Sequence, residues 1–168
     1  MPLRQDEVDD QRAFDPAELL YRRVSREGLN ANGEFLPSEL NTISFNEGID
    51  SAPSVLRSLF CEPEDVIAAE CANGKDVSNW RVFALVVNDL PSPIVAGDGK
   101  SFDVFPLHRP LPMCGAHSVI ASCATGDLTR AYAPPPRSVR NALRAKLASL
   151  LKPIEIAGQN VAASESIA

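Results

Sequence analysis

Apolar and polar residues alternate most clearly between Trp80 and Val87. Trp80, Val82, Ala84 and Val86 fall on one side, and Arg81, Phe83, Leu85 and Val87 on the other. A period of two predicts a strand, and apolar residues on both sides predict a central one, covered on each face. Ala116–Ala124 repeats the period, with His117, Val119, Ala121 and Cys123 opposite Ser118, Ile120 and Ser122. Ser101–Leu107 reads as a third strand, with Phe102, Val104 and Pro106 together, and Ile94-Val95 as a short fourth. Leu20–Val24 is ambiguous between a strand and the end of a short helix opened by Asp15-Pro16. The alternation of Leu20, Arg22 and Val24 against Tyr21 and Arg23 favours the strand.

Other segments repeat at three and four residues. Ser51-Ala52-Pro53 predicts a helix over 53–60, with Val55, Leu56 and Leu59 as its apolar side. Glu62-Pro63-Glu64-Asp65 predicts a second over 64–72, its acids suiting the helix dipole and Asn73-Gly74 ending it. The clearest helix is 137–151, where Val139, Leu143, Leu147, Leu150 and Leu151 make one stripe and Pro153 follows. Asn32-Gly33 is a turn pair. Leu40–Phe45 is a candidate edge segment, and Pro106–Pro112, with three prolines, a stiff surface loop. The expected fold is therefore α+β, a small sheet with strands near 80–87, 101–107 and 116–124 and helices near 53–60, 64–72 and 137–151. Residues 13–153 are expected to form a single globular domain, between a flexible tail over 1–12 and a disordered tail over 154–168.

Composition narrows the function. A chain of 168 residues with 45 % hydrophobic residues can build one core, and fourteen prolines imply stiff connections. The net charge of −6 argues against general binding to nucleic-acid backbones. That charge is uneven: residues 1–50 carry eleven acids and five bases, whereas Arg130–Lys152 carries six bases and no acid. Opposed segments suit pairing with another protein or with a second copy, although two solvated faces would look the same. No apolar run reaches the roughly 18 residues of a membrane span, and Met1–Asp10 does not resemble a secretory signal. The four cysteines are therefore expected to be reduced thiols in a cytoplasm. No phosphate loop, dinucleotide fingerprint or nucleophile elbow is present, and no cofactor is implied.

Three constellations could carry chemistry. His108, Cys114, His117 and Cys123 hold metal-ligand side chains within sixteen residues. An extended strand would separate His117 from Cys123 by about 20 Å, however, so no metal site is expected and packed thiols are the plainer reading. Cys114 near His117 could form a thiol–imidazole pair, although no third group to orient the base is evident. Finally, Leu-Tyr-Arg-Arg-Val is similar to the first strand of the NAD-dependent ADP-ribosyltransferase fold. There an arginine on the first strand and a polar residue on a following strand hold the dinucleotide. The likeness points to Arg22 and Ser38, with Arg22-Arg23 as a plain surface pair the alternative. Many members of that class use a late glutamate, and after Glu70 only Glu155 and Glu165 remain here.

Taken together, Leu20-Tyr21-Arg22-Arg23-Val24, Phe35-x-Pro37-Ser38, Ser54-Val55-x-Arg57, Pro110-x-Pro112 and His117-Ser118-Val119-Ile120 resemble a group of small, uncharacterised bacterial cytoplasmic proteins. That resemblance spans residues 20–123, supplies no reaction, and draws attention to Arg22, Ser38 and His117. The leading expectation is a non-catalytic binding or assembly module in a bacterial multi-protein system. It would dock through Arg137, Arg140, Arg144 and Lys146 on the basic helix, and through His108 and Arg109 in the proline loop. The alternative is a small enzyme using Arg22, Ser38 and His117, or Cys114 with His117.

Overall fold

A computed structural model describes residues 13–40, 53–71, 74, 76–111, 114–126 and 136–156. The expected tail over 1–12, residues 157–168 of the expected tail over 154–168, and most of Leu40–Phe45 lie outside them. The fold is α+β: a curled antiparallel sheet of seven strands in the order β4-β5-β6-β2-β1-β3-β7, with a helix on each face. The strands are β1 Leu19–Val24, β2 Ser54–Arg57, β3 Arg81–Val86, β4 Ile94–Val95, β5 Ser101–His108, β6 His117–Ala124 and β7 Lys152–Ile154. Among the described residues the α-helices are α1 Pro63–Cys71 and α2 Arg137–Leu150.

Alternation sorts the core into two layers. Leu20, Val24, Val55, Phe83, Leu85 and Ile120 point to the face covered by Val139, Leu143 and Leu147 of α2. Tyr21, Val82 and Ala84 point to the other, covered by Val66 and Ile67 of α1. The apolar content of both faces of β3 follows from this, since β3 lies between β1 and β7 inside the sheet.

Several expectations need correction. Residues 53–60 are not helical: Ser54–Arg57 is a strand between β1 and β6, and a turn follows. Val55 and Arg57 are buried on one face, so the true period is two, disguised by a polar residue at a core position. Asp15-Pro16 opens a turn rather than a helix, with the Asp15 carboxylate accepting the Ala17 N–H at 2.8 Å. Pro106 belongs to β5, not to a loop. Arg109 N–H donates to His117, so alternate N–H groups of β5 face β6, and the Pro106 nitrogen points the other way. There β4 reaches only Ser101 and Phe102. At the C-terminal end, Ile154 pairs with Val82 and Ile156 packs in the α1-side core.

Gly28, in the turn after β1, has no room for a side chain. A Cβ there would clash with Cγ2 of Val24 and lie 2.6 Å from Cγ of Glu39. Gly28→Ala should cost about 1–3 kcal/mol through overpacking, read as a lower urea midpoint at unchanged m-value.

Candidate active site

The site is built on the face that carries α1, where β2 lies between β1 and β6. Ser54 pairs with Val119, and Leu56 with His117. Ser54 and His117 are therefore diagonal neighbours on one face. Their side chains meet, with Oγ of Ser54 2.9 Å from Nε2 of His117. The other ring nitrogen, Nδ1, lies 2.6 Å from the backbone carbonyl of Arg109. A carbonyl only accepts, so Nδ1 carries the hydrogen; in the neutral ring Nε2 is then the acceptor, and the Ser54 hydroxyl donates to it. A hydroxyl, a base and a third group that orients the base are the parts of an activated nucleophile or proton relay.

The electrostatic surroundings keep that base neutral. Burial pushes the His117 imidazole below its ordinary value, and the charges of Arg109, Arg22 and Arg23 push the same way. The bond to the Arg109 carbonyl opposes them. Among the described residues no carboxylate acts on His117. The site is thus a half-buried hydroxyl–imidazole pair in a positive field.

The two arginines of β1 have different places, and parity decides which is which. Tyr21 pairs with Leu56 and Leu20 with Arg57, so Arg23 shares the face of Ser54 and His117, whereas Arg22 belongs to the opposite face. Arg23 donates to the Val66 carbonyl of α1 at 3.2 Å. Arg22 reaches between the strands. Nη1 donates to the Ser54 carbonyl and Nη2 to the Glu39 carbonyl, each at 2.7 Å, while Nε is buried without a partner. Paired β1 and β2 end at Tyr21 and Leu56, and Ile120 N–H donates to Pro53, so the Ser54 carbonyl points toward β1 where no backbone donor remains. The Arg22 guanidinium supplies that donor and fixes the backbone that carries the Ser54 hydroxyl.

The other expected site residues are dispersed. Ser38 is exposed in the short 3₁₀ turn Pro37–Leu40, one residue before Glu39. Ser54, not singled out on its own in the sequence, is the hydroxyl that meets His117. Cys114 does not hold the imidazole, because both ring nitrogens are engaged elsewhere. Cys61, Cys114 and Cys123 are free thiols, and burial first, then Cys114, pushes the Cys61 thiol up to about 11, where it stays protonated at neutral pH. Nδ1 of His108 lies 3.1 Å from the Ser118 hydroxyl on the opposite face from His117. Among the described residues no group of three metal-ligating side chains occurs. Arg137 and Lys146 are exposed on α2, while Arg140 and Arg144 are half-buried. No described helix is long and apolar enough to cross a membrane.

Comparisons with known proteins return no matching family model, and no significant match to a curated protein or a solved structure.

Proposed function

We propose that this protein is an enzyme that binds a nicotinamide dinucleotide and transfers its ADP-ribosyl group to a hydroxyl or to water. The carrying observation is the Ser54–His117 bond, oriented by the Arg109 carbonyl and set among three arginine charges. Arginine on the first strand and a hydroxyl on a following one are the features of that class likened above to Arg22 and Ser38. Here the hydroxyl is Ser54, and the first-strand arginine on its face is Arg23, because Arg22 lies on the opposite face and holds the Ser54 backbone. His117 is the group available for the proton work that a late glutamate performs in many members. Guanidinium groups suit a pyrophosphate, and half-buried Phe105 and Leu107 on the same sheet face offer apolar surface to a ring. In the reaction, the bond from ribose to nicotinamide breaks and its electron pair leaves on the ring nitrogen. The acceptor oxygen forms the new bond to the ribose carbon and passes its proton to Nε2 of His117 through Ser54.

Incubation with NAD, followed by chromatography for free nicotinamide, tests this reading. The parent protein should release nicotinamide, and Ser54→Ala should lower the rate by about 10²–10⁴-fold, the range for loss of acid–base assistance. A parent that neither releases nicotinamide nor binds NAD in calorimetry overturns it.

A further inference from the structure

A second set of cations lies on α2, apart from Ser54 and His117. Arg140 and Arg144 are four residues apart, which stacks them on one helix flank with Cβ atoms about 6 Å apart. That flank borders the buried stripe of Val139, Leu143, Leu147 and Ala148, so the aliphatic stems lie against the core. Both side chains are half-buried, and the Nε of each is shut away from solvent with no hydrogen-bond partner. The charge of Arg140 acts on Arg144, with no carboxylate among the described residues offsetting it.

This arrangement is unfavourable in two ways, since like charges are side by side and two donors are orphaned. Lysine at both positions would place the same charge with no buried N–H. Arginine differs in presenting a planar fork, which matches the oxygens of a phosphate group bidentately. We propose that Arg140 and Arg144 form a second anion site whose ligand is a phosphate group, held between the two guanidinium ends. The net charge of −6 favours a small phosphate over a nucleic-acid backbone. The phosphate could be free or carried by a nucleotide.

Thermal unfolding of the full chain with inorganic phosphate, with AMP, and with chloride at matched ionic strength tests the site. The parent should gain stability with phosphate, with AMP or with both, and not with chloride; the arm that responds identifies the source. Arg140→Lys with Arg144→Lys should bind the responding ligand at least tenfold more weakly. In phosphate-free buffer that double variant should be as stable as the parent or more so, which excludes a folding defect. Ser54→Ala should keep the phosphate response, so the test stands apart from the NAD reading. Equal responses in parent and double-lysine proteins, or no response to either phosphate, overturn the proposal.

Discussion

Glu18→Ala should lower the unfolding free energy by about 3–5 kcal/mol, the usual effect of leaving one member of a buried ion pair alone. Arg57 is 0 % exposed, yet it is the largest side chain in the fully buried set. Its Nε and Nη2 each meet a Glu18 carboxylate oxygen at 2.7 Å, a two-point fork that satisfies the pair as a unit. The Phe14 ring covers the guanidinium at 3.8 Å, and Phe60 lies 5.2 Å from it and stacks on His108. Removing the carboxylate leaves a cation that water cannot reach. Replacing both partners by apolar residues, as in Glu18→Leu with Arg57→Met, should return stability to within about 2 kcal/mol of the parent, because the desolvation of two charges is removed with their attraction. A double-mutant cycle from urea unfolding reads both effects. A loss below about 1 kcal/mol for Glu18→Ala would show that the pair is solvated in solution. The substitution should also disturb the candidate site, since Arg57 N–H donates to the Ala116 carbonyl one residue before His117.

The same arginine explains where the sequence could be read and where it could not. Segments 80–87, 101–107, 116–124 and 137–151 were legible because their core positions are nearly all apolar, so the period of burial is also the period of the letters. In Ser54-Val55-Leu56-Arg57 it is not. Arg57 occupies a core position that the two-point fork to Glu18, 39 residues earlier, helps make tenable, while Leu56 and Leu59 complete a spurious helical spacing. That false spacing conceals Ser54 and leaves Ser38, on the exposed turn, as the more visible hydroxyl. Arg22 and His117 were within reach because each stands in a strand whose alternation is visible. Their division of labour was not, because it depends on register: a shift of one residue exchanges Arg22 and Arg23 between faces. The Ser54–His117 contact spans 63 residues and arises only when β2 is inserted between β1 and β6. One clue was present: Ser54-Val55-x-Arg57 places Ser54 and Arg57 at opposite parity, as a strand requires if one faces a site and the other a partner in the core.

His117 should govern how activity depends on pH, and the direction follows from its surroundings. The neutral ring accepts the Ser54 proton, so the rate of nicotinamide release should fall at acid pH as the imidazole takes up a proton. Burial first, then the charges of Arg109, Arg22 and Arg23, hold the folded-state value below the ordinary 6.5. The acid limb should therefore lie below 6.5, with a plateau through neutral pH. The same group contributes to stability in the same sense. The unfolded chain takes up the proton first as pH falls, so the contribution is fully present above the unfolded value and is lost as pH drops through the folded one. Arg23→Gln removes one of the charges without removing the bond to the Arg109 carbonyl, so it should move the acid limb upward. An NMR titration of the His117 ring should move by the same amount in the absence of any substrate. His117→Ala should abolish the limb and lower the rate by about 10²–10⁴-fold. An acid limb that survives in His117→Ala would assign the titration to another group, and an Arg23→Gln profile superimposed on the parent would show that the arginine field does not reach the base.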